Sequence, residues 1–230
     1  MPERAVIFDL DDTLYPHRCF VLSGFRAVAV LLHETRGADA RATFNTLATA
    51  FRRGKRGREI QELRRLFDLS DVDVTRLVAV IRDHVPSVRL PQASANALEA
   101  MRPDWRIGVL TNGLPAVQDR KVTALGLAGF VDAVVFAGAP GLAGQKPAAS
   151  GFFAALTRLG VTPASAVFVG DDRYADMLGA ASVGMKTIHV IRRGEAPCDF
   201  SRCHAHVRSL AEVPHTAAGL LLERSARHVA

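Results

Sequence analysis

Residues 5–14 read Ala-Val-Ile-Phe-Asp-Leu-Asp-Asp-Thr-Leu. The apolar run Ala5 to Phe8 stops at Asp9, and Asp11 and Asp12 follow at once. A short run that is apolar at every position marks a strand buried on both faces, as in a parallel sheet covered by helices. The stretch therefore predicts a central strand that delivers an acidic loop at its carboxyl end.

Outward from this strand the pattern changes twice. From about Cys19 to Val85 the apolar residues recur at helical spacing (Phe25, Val28, Ala29, Leu32; Leu63, Leu66, Phe67; Leu77, Val78, Ile81), with no strong strand between them. After Pro91, strands at Ile107–Leu110, Ala133–Ala137, Ala166–Val169 and Thr187–Ile191 alternate with helices near Ala93–Met101, Ala116–Leu125, Ser150–Leu159 and Ala175–Ser182. A short strand at Ala205–Arg208 and a helix over Leu210–Arg227 close the chain. The expected fold class is α/β. Residues 1–15 and 92–230 form a Rossmann-like parallel sheet with helices on both faces, and residues 16–91 form an inserted α-helical cap. Inserted directly after the first strand, that piece is expected over the carboxyl edge of the sheet, where open α/β sheets bind ligands.

The 230 residues are 49% apolar and only 7% aromatic, which suits helices on a sheet better than an aromatic-rich β-sandwich. No apolar run approaches the roughly 20 residues of a membrane span. The first residues lack the pattern of a secretory signal, so a cytoplasmic address is expected. Cys19, Cys198 and Cys203 are sparse and odd in number, and no disulfide framework is expected. The net charge of +6 lies wholly between Pro16 and Gln92, where 14 Lys and Arg face 8 Asp and Glu. That segment carries a positive field suited to an anionic partner. Arg18, Arg52, Arg53, Lys55, Arg56 and Arg58 are its candidate contacts. The run lacks the interleaved aromatics of a nucleic-acid surface, so a solvated face is favoured.

Chemistry-bearing residues gather at the strand ends. Asp9 and Asp11 follow the first strand, Thr111-Asn112-Gly113 the second, and Asp171, Asp172 and Asp176 the fourth; Lys146 lies in a Gly-rich loop after the third. In a doubly wound sheet these ends converge on one crevice. Clustered carboxylates repel unless protonated or bridged by a cation, and an all-oxygen donor set suits Mg²⁺, which completes its shell with water and substrate phosphate.

The motifs Phe8-Asp9-Leu10-Asp11-Asp12-Thr13-Leu14, Leu110-Thr111-Asn112-Gly113, Lys146-Pro147 and Val169-Gly170-Asp171-Asp172 with Asp176, followed by Gly179-Ala180-Ala181 to Gly184-Met185, together resemble the haloacid dehalogenase-like hydrolase superfamily. The resemblance implies that Asp9 is a nucleophile that forms an aspartyl-phosphate. It implies that Asp11 protonates the leaving alcohol and then deprotonates the attacking water. Lys146, Thr111 and the Asn112 backbone would bind the phosphoryl oxygens. Mg²⁺ would be held by Asp9, the Asp11 backbone carbonyl and Asp171, with Asp172 or Asp176 orienting these ligands from behind.

Asp11 argues for phosphate esters over halide expulsion, which needs no proton. Asp12 stands where family phosphomutases usually have Gly. The Asp-Asp-Thr-Leu-Tyr-Pro stretch is similar to the branch with nucleotide and small phosphometabolite phosphatases, including pyrimidine 5′-nucleotidases. The helical insert resembles a cap lying between the first and second motifs. The implied activity is Mg-dependent hydrolysis of a small anionic phosphorylated metabolite. A nucleoside 5′-monophosphate phosphatase and a sugar phosphomutase stand as alternatives, as does a non-catalytic regulatory or nucleic-acid-binding protein using the basic cap. A homo-oligomer is compatible with the sequence.

Three competing readings accompany the sharp ones. Asp172 serves equally well as a helix N-cap, and Asp12 as a loop stabiliser. Cys198, Cys203, His204 and His206 are the only soft-ligand cluster, and their spacing matches no zinc pattern.

Overall fold

The computed structural model describes residues 3–55, 57–67, 69, 71–192, 194–199 and 203–227. They form two compact units, Met1–Pro16 with Arg89–Ala230, and His17–Val88.

The first unit is built on a six-stranded sheet in the order β3-β2-β1-β4-β5-β6, with every pairing parallel: β1 (Ala5–Phe8), β2 (Arg106–Thr111), β3 (Ala133–Phe136), β4 (Ala166–Gly170), β5 (Lys186–Val190) and β6 (Ala205–Val207). All of Ala5–Phe8 and Ala166–Val169 are inaccessible to solvent, so both faces of the central strands are covered. Successive side chains alternate across the sheet. Ala5, Ile7, Ala166 and Phe168 pack with Phe152, Ala155, Leu156 and Leu159 of the helix Ala149–Leu159. That helix lies so close to β2 that a Cβ on Gly108 would stand 2.9 Å from Leu159 Cδ1. The chain winds from β1 to β2 and β3 on one side, then returns to β4, β5 and β6 on the other. The direction of winding therefore reverses between β1 and β4, the position at which doubly wound sheets open a crevice.

Two local features depart from the sequence reading. The expected helix over Ala175–Ser182 is instead a π-helical turn, Arg173–Leu178, running into a short α-helix, Gly179–Ser182. Asp172 caps the turn, accepting from the amides of Tyr174 (2.8 Å) and Ala175 (2.7 Å). The wider turn brings Asp176 back against Gly170, where a Cβ would lie 2.2 Å from Asp176 Oδ2. The second departure is that Cys198 and Cys203 are paired as a disulfide, where none was expected. Only five positions separate them, too short a loop to leave a framework signature in the sequence.

The second unit is helical among its described residues: His17–Arg36, Ala40–Arg52, Glu59–Leu66 and Val74–Asp83. Phe25, Val28, Leu32, Leu47, Ile60, Leu63 and Leu77 form its core. Asp39 and Asp73 cap their helices through the amides of Ala42 (2.6 Å) and Thr75 (2.8 Å). Arg18, Arg52, Arg53, Lys55 and Arg58 are exposed, and Lys55 pairs with Glu62 at 3.2 Å, while Arg56 lies outside the described residues. No helix of the described residues is long and apolar enough to cross a membrane.

Candidate active site

At the carboxyl end of β1 the ladder runs one residue further, the Asp9 amide donating to Val169 O at 2.9 Å. This fixes Asp9 between β2 and β4. The chain then turns back. Asp12 adopts a positive φ of 62°, its amide donates to Tyr15 O at 2.8 Å, and the Tyr15 hydroxyl returns to Asp11 Oδ1 at 2.7 Å.

The buried Lys146 ammonium bridges Asp9 Oδ1 (2.5 Å) and Asp176 Oδ1 (2.7 Å). Its backbone is tied to the end of β2: Lys146 N donates to Asn112 Oδ1 at 2.8 Å, and Asn112 Nδ2 donates to Lys146 O at 3.1 Å. The Lys146–Pro147 peptide is cis. Asp171 accepts from Thr13 Oγ1 (3.2 Å) and pairs with Arg192 (2.9 Å), which also reaches Asp12 at 3.1 Å. Carboxylate oxygens of Asp9, Asp171 and Asp176 lie within 4.8 Å of one another.

Burial, reinforced by the like charges of Asp176 and Asp171 and opposed by Lys146, raises Asp9 to about 8. Burial likewise raises Asp171 to about 6, against the pull of Arg192. Lys146 is held above the ordinary lysine range, because the flanking Asp9 and Asp176 carboxylates outweigh the desolvation that would lower it. Asp9 and Asp176 thus share one buried ammonium while Asp171 relies on Arg192, and the negative charge gathered here is what a divalent cation would neutralise. The donors are all oxygens, which fits Mg²⁺. Asp176 has both oxygens engaged internally, by Lys146 and by the Asp172 amide (3.1 Å), so it stands behind Asp9 and Asp171. The Asp172 carboxylate is spent on its cap.

Residues 3–184 match the family model of haloacid dehalogenase-like hydrolases. The chain belongs to that family. Among curated relatives of this haloacid dehalogenase-like hydrolase, the glyceraldehyde 3-phosphate phosphatase of Methanopyrus kandleri is 31% identical over 212 residues, 84% of this chain and 85% of that protein. The ribulose-1,5-bisphosphate 5-phosphatase of Halopiger xanaduensis is 28% identical over 205 residues, 80% and 83% of the two chains. Solved structures share the fold. A phosphatase of the family from Thermococcus onnurineus superposes with a TM-score of 0.61 at 24% identity, covering 94% of this chain and 98% of that one. A 2-haloacid dehalogenase from Pseudomonas syringae pv. Tomato DC3000 gives 0.65 at 24% identity, covering 96% and 100%. One fold thus carries both chemistries, and the side chains must discriminate.

Two further residues of the haloacid dehalogenase-like hydrolase's site escaped the sequence reading. Lys121, almost wholly buried, donates to both oxygens of Asp11 (2.9 and 2.7 Å). Gln118 Nε2 bridges Asp11 Oδ2 (3.0 Å) and Thr111 Oγ1 (2.6 Å). Both lie on the helix Pro115–Ala124, one turn apart, so they share a face. The available signal was a Gln and a Lys three positions apart on the helix that follows Thr111-Asn112-Gly113; singly, each passes for a surface residue.

Proposed function

We propose that the chain hydrolyses small phosphomonoesters through a phosphoryl group carried on Asp9. The observation that supports this most directly is the pairing of Asp9 with a buried lysine, beside a second aspartate held by its own donors. Halide expulsion has no use for that second carboxylate. In the first half-reaction Asp9 attacks phosphorus, the ester P–O bond breaks, and Asp11 gives a proton to the departing alkoxide. In the second, water attacks phosphorus, Asp11 takes its proton, and the Asp9–phosphorus link breaks, which returns the acid form of Asp11 for the next turnover.

Lys146 serves two ends. It orients the attacking oxygen of Asp9 and neutralises charge on the transferring group, whose oxygens also meet the Thr111 hydroxyl and the Asn112 amide. Asn112 acts through its side chain as well, by holding the Lys146 backbone. Lys121, Gln118 and Tyr15 fix the Asp11 carboxylate in one rotamer, a positioning role. Mg²⁺ would be held by Asp9, the Asp11 carbonyl and Asp171, where it would offset the charge of nucleophile and phosphate together. Asp176 and Asp172 keep this arrangement in place, the first through Lys146 and the second through the turn it caps.

The helical unit His17–Val88 takes the part of the cap that selects the leaving group, and its excess of basic residues favours an anionic metabolite. Relatives named as phosphatases of glyceraldehyde 3-phosphate and of ribulose 1,5-bisphosphate support a small sugar or triose phosphate ahead of nucleotides. The test is phosphate release from a panel of triose, pentose and hexose phosphates, phosphoglycolate, phosphoserine and nucleoside monophosphates, with Mg²⁺ or with a chelator. Release from one class of ester, abolished by the chelator, is expected. Silence across the panel, together with salt-dependent binding of nucleic acid, would favour a non-catalytic role.

A further inference from the structure

On the far side of the sheet from β3, β5 and β6 pair in parallel with His189 opposite His206. Residues in register on neighbouring strands present their side chains to the same face, and the two imidazole centroids stand 5.9 Å apart. The loop that returns to β6 carries Cys198 and Cys203, both buried. Ligand atoms of His189, Cys198 and His206 lie within 4.8 Å of one another, and Cys203 Sγ is 3.4 Å from His206 Nδ1. His204, the histidine that the sequence grouped with these cysteines, is engaged elsewhere. Its Nδ1 meets Thr187 N (3.2 Å) and Thr187 Oγ1 (3.0 Å). The fourth member comes instead from the preceding strand, outside any local motif.

We propose that His189, Cys198, Cys203 and His206 form a structural zinc site at the β5–β6 edge of the sheet. Two thiolates and two imidazoles make a Cys₂His₂ donor set of the kind that closes tetrahedrally around Zn²⁺ and leaves no open position. A second observation points the same way. His189 is fully buried, its Nε2 meets the backbone carbonyl of Asp171 at 3.1 Å, and its Nδ1 has no hydrogen-bond partner among the described residues. An Nε2–H donated to a carbonyl leaves the lone pair on Nδ1, and metal-bound histidines are oriented by that same kind of hydrogen bond.

A disulfide between Cys198 and Cys203 satisfies the sulfurs but leaves this nitrogen desolvated and unused, which is unfavourable. An ion shared by all four side chains accounts for the buried imidazole as well as the sulfurs. In the reduced chain, binding removes the two thiol protons to solvent and forms two Zn–S and two Zn–N bonds, with no change in oxidation state.

Among the described residues the site meets the carboxylate cluster through the hydrogen bond of His189 to the Asp171 carbonyl, and its test reads the bound metal and not turnover. The full chain, purified with a thiol reductant and without chelator, is assayed for zinc by elemental analysis. It is then stripped and reloaded with Co²⁺ alone. One zinc per chain is expected, with Co²⁺ giving the intense visible bands and thiolate charge-transfer absorption of a tetrahedral S₂N₂ centre. Cys203→Ser and His206→Ala should each lower zinc content at least tenfold, with helical circular dichroism retained, while Cys19→Ser keeps it. His204→Ala separates this site from the group read in the sequence and should retain the metal. A reduced chain that binds neither metal, or one whose Cys198 and Cys203 stay unreactive toward thiol reagents until stronger reduction, would overturn the proposal in favour of a plain disulfide.

Discussion

Magnesium affinity is expected to fall steeply as the pH drops below 8. If Asp9 and Asp171 hold the ion, as proposed, the cation competes with protons for these two carboxylates, which burial raises to about 8 and about 6. At pH 8 about half of the Asp9 carboxyls and nearly all of the Asp171 carboxyls are ionised. At pH 6 the corresponding fractions are about one in a hundred and about one half. Their product falls roughly a hundredfold, equivalent to about 2.7 kcal/mol of binding free energy. The sign follows from linkage: a species that binds only the ionised carboxylates loses affinity wherever the free protein holds protons. The assay is calorimetric titration of the metal-free chain with MgCl₂ between pH 6 and 8.5, repeated in buffers of different ionisation enthalpy to count the protons released. Close to one proton per ion is expected at pH 7, and Asp9→Asn should remove most of the slope. An affinity constant within about threefold from pH 6 to 8, or binding without proton release, would refute the reasoning.

Three substitutions probe the rest of the site. Lys146→Met removes the buried ammonium between Asp9 and Asp176, and should lower kcat by about 10³-fold or more and destabilise the metal-free chain by about 3–5 kcal/mol in urea denaturation. Lys121→Met leaves the Asp11 carboxylate without its main anchor. It should reduce kcat for alkyl phosphates by about 10²-fold with little change in KM, and should cost nothing further in an Asp11→Asn background. Gly170→Ala places a methyl on the Asp176 carboxylate. It should lower stability by about 1–3 kcal/mol and reduce kcat through displaced Lys146, which thermal melts and steady-state kinetics read separately.

The parallel sheet was legible in the sequence because its strands are buried on both faces, so each is apolar at every position and is set off by turn residues. The acidic loops were legible for the complementary reason: Asp after an apolar run has no packing purpose. The π-turn at Arg173–Leu178 was not, since its period departs from the helical one by a single residue, and the room it needs for Asp176 is left by the missing Cβ of Gly170. Lys121 and Gln118 were hidden because both donate to Asp11, more than a hundred positions away in sequence and adjacent only in the fold; the second partner of Gln118, Thr111, is near in sequence but ends the preceding strand. His189 was hidden likewise, because a histidine inside an apolar strand reads as core until its neighbour on β6 is known. Asp172 admitted both a cap and a site role, and the geometry of its carboxylate favours the cap.

The central claim is that Asp9 carries the phosphoryl group. The most direct measurement is phosphate release by the native chain and by Asp9→Asn, with Mg²⁺ and the best ester of the panel, alongside intact-protein mass of acid-quenched samples. The account predicts that turnover is lost in the variant by at least about 10⁴-fold, and that one phosphoryl group appears on the native chain, in the peptide containing Asp9, and never on Asp9→Asn. Substantial turnover by Asp9→Asn, or a phosphoryl group found on another residue, would contradict it.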